Sequence, residues 1–384
     1  MNLNIKSLTI LLMMAGVSCA AAAAAPPEDV VAEEIETQYE RIRVVRVIGG
    51  LENPWSVTFL PDGRFLVTER PGRLNIVAEG GATPVSGLPG IHAMRQGGLL
   101  DVSLHPDFAA NGWVYLTYSK GDTDGDATAL GRGRLDGTRL VEFEELFVQD
   151  RASAPGIHYG SRIAWLPDGT LLMSIGDRGM EPPRAQDPLD HAGKVLRLDA
   201  DGNAPADNPF AGRDDVKPEV YTLGHRNIQG LVVVPDGGDV WAVEHGPRGG
   251  DELNRIRAGS NYGWPLISRA RDYRTQAQYG EARSREGFVD PVYEFLPTHA
   301  PSGLALVTRD RFPRWRGDLL VGGLRSERIR RVVLEDGEVV HEEELLLGIV
   351  GRIRDVREGP DGYIYVISDE SDGGLYRIEP ASSP

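Results

Sequence analysis

The chain has 384 residues, with 41 Lys and Arg against 57 Asp and Glu and a formal net charge of −16. That length admits one large all-β domain or two ordinary ones, and an acidic balance spread along the chain argues against nucleic acid or an anionic membrane surface as partner. Cys19 is the only cysteine, so no disulfide framework supports the fold and it must rest on a proper core.

Residues 1–25 have the order of a secretory signal: Lys6, the apolar run Leu8 to Val17, then the small residues of "SCAAAAAAPPE". The run is too short to remain as a membrane span. The mature chain is therefore expected in the periplasm or secreted, with no transmembrane segment. "GVSC" loosely resembles a lipoprotein processing site, although Gly16 stands where Leu is usual, so a lipid anchor on Cys19 is the lesser alternative. Residues 26–40, acidic and Ala-rich, read as a flexible linker, with order beginning near Tyr39 and one domain over 41–380.

The body repeats itself. A turn signal followed by a β-rich run recurs six times: "LPDGRFLVTER" from Leu60, "HPDFAANGWVYLTYS" from His105, "LPDGTLLMSIGD" from Leu166, "VPDGGDVWAVEHG" from Val234, "RWRGDLLVGGL" from Arg314 and "GPDGYIYVISDE" from Gly359. Asp-Gly and Pro-Asp turns between apolar β-formers signal hairpins, and recurrence at a loose period is the mark of a repeat fold. Helical periodicity is scarce, while 47 glycines and 26 prolines punctuate short Val, Leu and Ile runs. The reading is all-β, a six-bladed β-propeller. A pair of β-sandwiches is the runner-up, disfavoured because six similar units divide poorly between two sandwiches. "RIRVVRVI" from Arg41 is expected to close the ring against "GGLYRIEP" near the end of the chain.

Between Gly224 and Pro265 lies "GHRNIQGLVVVPDGGDVWAVEHGPRGGDELNRIRAGSNYGWP". Bare carbonyls around Gly246 and Pro247, with Glu244, Asp251 and Glu252, offer the oxygen ligands a hard cation such as calcium takes; an acidic, solvated turn accounts for the same composition. Three further stretches carry polar groups just beyond the repeated strands: Gln96 in "RQGGLLDVSLHPDF", His158 in "GIHYGSRIAW", and Arg325 with the pair Arg352 and Arg354 in "GGLRSERIRR" and "GIVGRIRDV". Alternation puts Arg352 and Arg354 on one strand face and Ile353 on the other. Singly, each has an ordinary explanation. Together they describe a pocket for a polyanionic, oxygen-bearing ligand with a metal beside it, since guanidinium groups offer carboxylates parallel donors.

With "NPWSVTFLPDGRFLVTERPGRL", "QGGLLDVSLHPDF", "GHRNIQG", "EHGPRGGDELN", "GSNYGWP", "HAPSGLAL" and "GRIRDVREGPDGYIYV" in this order, the chain resembles the soluble quinoprotein sugar dehydrogenases, the aldose branch of the glucose/sorbosone dehydrogenase family. The resemblance implies pyrroloquinoline quinone (PQQ) and calcium as cofactors and aldose sugars as substrates. It carries His158 over as the base that takes the anomeric hydroxyl proton. Gln96, Arg226, Asn227 and Tyr273 match cofactor contacts, and Arg325, Arg352 and Arg354 the basic residues facing its carboxylates. The Gly246 and Pro247 carbonyls match the calcium on the quinone; Glu252 and the Tyr262 backbone match a second, structural calcium.

Two positions depart from the glucose-oxidising branch. Ile157 stands where an acid precedes the histidine, and Arg325 where a Lys stands, which puts the orientation of the histidine in question. The resemblance names neither the sugar nor the external electron acceptor and is compatible with a monomer or a homodimer. Two other classes fit the residues alone: a calcium-dependent propeller lactonase, which leaves the arginines without a task, and a propeller binding module without chemistry.

Overall fold

The computed structural model describes residues 28–78, 81–154, 156–235 and 237–381. The expected signal segment 1–25, with Cys19, lies outside the described residues, and among those described no helix is long and apolar enough to cross a membrane. The described chain is almost entirely strand, arranged as six antiparallel sheets, five of four strands and one of five. Each sheet is a blade whose first strand faces the axis. These inner strands are Pro54–Phe59, Leu99–Leu104, Ile163–Trp165, Ile228–Val233, Pro301–Leu306 and Ile353–Glu358. Each touches the next around the ring and the last touches the first, which completes the six-bladed propeller.

The six turn motifs are the hairpins joining the first and second strand of each blade. In three of them the Asp side chain makes the same bond: Asp62 Oδ1 accepts from the Arg64 N–H (3.1 Å), Asp168 from Thr170 (2.9 Å) and Asp361 from Tyr363 (3.1 Å). An Asx turn of this kind fixes the reversal locally, before any packing. Close convergence at the axis is a separate demand, met by small residues. A Cβ at Gly230 would fall 2.5 Å from the Ser302 oxygen and one at Gly303 2.3 Å from the Val356 nitrogen, so these inner strands can approach only with glycine there.

Ring closure follows the sequence expectation: Arg41–Leu51 pairs antiparallel with Gly373–Pro380, from Ile42 opposite Pro380 to Leu51 opposite Gly373, with register shifts after Arg46 and after Ile48. The expected linker is corrected. Asp29–Glu36 is a strand that pairs outside Arg41–Leu51 and makes the closing blade five-stranded. Composition misled because the acidic residues are cross-strand partners, with Glu34 on Arg41 (2.9 Å) and Glu28 on Arg43 (2.9 Å), while Val31, Ala32 and Ile35 pack on the core.

The core lies between blades. Leu66, Leu74 and Ile76 of the first blade meet Leu99, Val102, Val114 and Leu116 of the second, and every one of them is buried. Each such side chain contributes roughly 1.5–3 kcal/mol by leaving water. With no disulfide, this inter-blade packing holds the ring.

Candidate active site

An antiparallel hairpin brings the entry of its first strand and the exit of its second to the same end, opposite the turn. In each blade the turn motif therefore marks one end of the propeller, and the residues flanking the hairpin gather at the other. A cavity of about 210 Å³ opens there. Strand entries bring Trp55, Leu100, Gly160, Asn227, Ala300 and Arg352 to it, and second-strand exits bring Arg70, His245, Arg325 and Asp369.

The wall of this cavity is cationic. Arg70, Arg325, Arg352 and Arg354 line it with one carboxylate, Asp369. Arg354 Nη2 donates to Asp369 Oδ2 at 2.5 Å and Nη1 to Gln229 Oε1 at 3.1 Å, while Arg352 Nη2 reaches Asp369 at 3.4 Å. Although burial opposes it, Arg354, Arg70 and Arg352 hold Asp369 down at about 2. Burial lowers the Arg70 pKa, and Arg354 and Arg352 add to this against the pull of Asp369. Arg354 Nε is buried and has no partner among the described residues. A buried donor left unpaired in a surplus of positive charge suits an anionic, oxygen-rich ligand.

His158 is not in the wall itself but is fastened to it. Its N–H donates to Gln96 Oε1 (3.0 Å), and two residues on the Gly160 N–H donates to Asn227 Oδ1 (3.1 Å). The backbone at His158 is left-handed, φ +56°. Nδ1 lies 2.6 Å from Asp177 Oδ1, and Asp177 Oδ2 accepts from the Trp264 indole N–H at 2.8 Å. An ionised carboxylate only accepts, so the proton sits on Nδ1 and the Nε2 lone pair is left available. Burial lowers the His158 pKa, and Arg226 adds to this against Asp177, so the ring is neutral near pH 7. The orienting acid that Ile157 fails to supply comes from Asp177, on another segment.

The expected metal residues fall in two neighbouring cavities. Gly246 and Pro247 line an outer space of about 530 Å³ with Arg248, Asp251, Tyr273 and Arg325. Glu252, Tyr262, Glu244 and Arg226 line a small one beside it. Arg226, expected on the cofactor, lines only this small cavity, where Nη1 donates to the carbonyls of His245 and Gly246, each at 3.0 Å. The Gly246 carbonyl is thereby engaged, while those of Pro247 and Tyr262 accept no hydrogen bond among the described residues. Burial and the adjacent Glu244 push Glu252 up to about 8, and Asn254 Nδ2 bridges the two carboxylates at 3.1 and 3.3 Å. One buried carboxylate, one half-buried carboxylate, a free carbonyl and no guanidinium or ammonium bonded to either acid suit a cation at Glu252. At Gly246 the fit is poorer, since a cation there would meet Arg226. Among the described residues no group of three or more His, Cys, Asp or Glu side chains forms a ready metal cage.

His245 lines all three cavities. Burial and Arg226 push its imidazole down to about 3, and its Nε2–H donates to the Pro301 carbonyl at 2.6 Å. Sequence reading passed over His245, Arg70, Asp177 and Asp369. All four stand just after a repeated turn-and-strand run, in "VTER", "SIGD", "VEHG" and "VISD", a position the six-fold alignment of the repeats would have singled out.

The glucose/sorbosone dehydrogenase family model matches residues 51–377. Aldose sugar dehydrogenase YliI of Escherichia coli is 38% identical over 338 residues, covering 86% of this chain and 91% of the relative. A crystal structure of a glucose dehydrogenase superposes with a TM-score of 0.84 at 41% identity, covering 87% of this chain and 98% of the other. The PQQ-bound form of an aldose sugar dehydrogenase from Streptomyces coelicolor does so with a TM-score of 0.72 at 28% identity, covering 88% and 98%. The six inner strands, the arginine-walled cavity and His158 all lie within the matched residues 51–377, and the chain belongs to the glucose/sorbosone dehydrogenase family.

Proposed function

We propose that the chain is an exported quinoprotein that oxidises aldose sugars at the anomeric carbon to lactones, with His158 as base. Family membership makes it an oxidoreductase acting on sugar CH–OH groups. The observation that carries the finer reading is the pairing of an arginine surplus with a neutral, oriented imidazole fastened to the same wall.

PQQ, when bound, would supply a hydride acceptor, chemistry no side chain performs. Arg325, Arg352 and Arg354 would hold its carboxylates, and Gln96 and Asn227 would flank it, each also fixing the backbone that carries His158. Tyr273 stands in the outer space, 61% exposed, where it would meet the sugar or the cofactor edge. His158 Nε2 accepts the C1 hydroxyl proton, and Asp177 stabilises the imidazolium that forms. Calcium held at Glu252 and the Tyr262 carbonyl would neutralise the Glu244 and Glu252 pair and stiffen the loop behind Gly246 and Pro247. The Gly246 and Pro247 carbonyls would hold a second calcium, which would supply Lewis acidity, with the Gly246 oxygen also accepting from Arg226. The segment before residue 26 would direct the chain out of the cytoplasm.

The test is to supply the purified chain with PQQ and calcium and follow dye reduction on adding aldoses. Sugar-dependent reduction that needs the quinone is expected. Release of acid from a lactone without quinone, and no dye reduction, would replace this reading with a hydrolase.

A further inference from the structure

The motif "GSNYGWP" carries one aromatic side chain to which the chemistry above gives no task. Trp264 is 6% exposed and is fixed along its backbone, where its N–H donates to the Gly224 carbonyl (2.9 Å) and its carbonyl accepts from Gln186 Nε2 (2.7 Å). Gln186 is locked in turn by a two-way bond with the Asn261 amide, at 3.0 and 2.8 Å. The ring is held as well. Tyr279 stacks on it with centroids 4.7 Å apart and planes 14° from parallel, and the Arg226 guanidinium lies 5.4 Å from its centre. An indole with so little freedom aims its single N–H at one point, and that point is Asp177 Oδ2, 2.8 Å away.

Asp177 needs such a guide. It is buried just beyond Leu171–Ile175 in the third blade, and its Oδ1 is shared by the His158 Nδ1–H and the Gly179 N–H, at 2.6 and 2.8 Å. Both donors fall on one oxygen. They leave the torsion about Cβ–Cγ, which has no sharp staggered minimum, unset. Trp264 takes the other oxygen, and it does so from the fourth blade, on the segment between Asp251–Ile256 and Tyr293–Phe295. An indole N–H only donates, so it suits an ionised carboxylate and opposes a proton on Oδ2.

We infer that Trp264 is a positioning residue for the oxidation, acting through Asp177: it holds the carboxylate ionised and in the plane that keeps a proton on His158 Nδ1 and Nε2 free, an inference that rests on the function proposed above. The base is thereby built across two blades, with His158 and Asp177 on one and the indole on the next.

Trp264→Phe tests this, since it keeps a ring for the Tyr279 stack and removes the N–H. Asp177 then has one donor fewer to spread its charge, binds the Nδ1 proton more strongly and stabilises the imidazolium, so the His158 pKa rises. In NMR of the cofactor-free chain, the His158 ring resonance, identified by its loss in His158→Ala, should titrate about 0.5–1 pH unit higher than in the parent. With PQQ and calcium supplied, kcat should fall about tenfold and the acid limb of the kcat/KM profile should move to higher pH, while the cofactor Kd stays near that of the parent. In an Asp177→Ala background Trp264→Phe should lower kcat no further, because its effect passes through the missing carboxylate. Should Trp264→Phe fail to fold, Tyr279→Leu, at a half-exposed ring, keeps the N–H but frees it to rock, and should move the same resonance in the same direction by less. An unmoved His158 titration in the folded variant, or equal kcat losses with and without Asp177, would overturn the positioning role and leave the proposed function standing. Absence of PQQ-dependent aldose oxidation by the parent would remove the proposed function, and this inference with it.

Discussion

Along the axis Arg162 and Arg357 face Asp101 and Asp355, two guanidinium groups against two carboxylates, whereas in the adjoining cavity Arg70, Arg325, Arg352 and Arg354 share the single carboxylate Asp369. The clusters touch, since Arg162 donates to the backbone oxygens of Arg354 (3.1 Å) and Gln229 (2.6 Å). Arg162 also lies over the Trp55 ring at 4.2 Å, and Asp101 takes further bonds from Ser56 Oγ and the Ile163 N–H. Each cluster leaves one buried atom without a hydrogen-bond partner among the described residues, Asp355 Oδ1 in the first and Arg354 Nε in the second, but the first balances its charges and the second carries a surplus. The difference separates a structural ion network, which must balance its own desolvation, from a binding wall, which holds charge in reserve for a ligand.

The largest expected effect tests what the reserve is for. His158→Ala should lower turnover about 10²- to 10⁴-fold while a fluorescence titration finds cofactor binding nearly unchanged; normal turnover would remove the base from the mechanism. Next comes the axis. Asp101→Asn leaves Arg162 and Arg357 short of a buried counter-charge and should cost about 3–5 kcal/mol in urea denaturation, and a change under about 1 kcal/mol would show that the network is not the structural one.

Arg354→Ala should act the other way round. Loss of a charge-assisted contact weakens cofactor binding by about 1.5–3 kcal/mol, some tenfold to a hundredfold in Kd, while the unliganded chain loses less stability than in Asp101→Asn. Identical cofactor titrations for variant and parent would contradict the wall. The smallest effect is in acid. The Asp369 carboxyl is depressed to about 2 from an ordinary 3.8, so its contribution is complete above about pH 4 and drains away as pH falls toward 2. The size is about 2 kcal/mol, read as the part of the urea-stability difference between pH 5 and pH 2.5 that Asp369→Asn removes, the remainder coming from other depressed carboxylates such as Glu69 and Asp177.

How legible each part was in the sequence follows the range of the interactions that make it. The turns of Leu60, Leu166 and Gly359 were readable because an Asp bonding two residues onward is complete within the motif. Arg352 and Arg354 were readable as a pair through strand alternation, and both reach Asp369. Asp177 was not readable as the partner of His158, because they lie 19 residues apart on separate segments and the local substitute, Ile157, is apolar. Asp29–Glu36 was misread for the same reason: Glu34 and Asp29 make sense only opposite Arg41 and Arg46.

The order of residues alone determined that there are six hairpins, where each reverses and which short stretches flank them, since hydrogen bonds over two or three residues and period-two alternation need no distant partner. Which flanking charges would be cancelled and which left bare was decided only by closure of the ring. Asp101 meets Arg357 across 256 residues of chain and Arg354 meets Gln229 across 125, and Coulomb energy depends on distance in space and on burial, neither of which the chain possesses until the blades have packed.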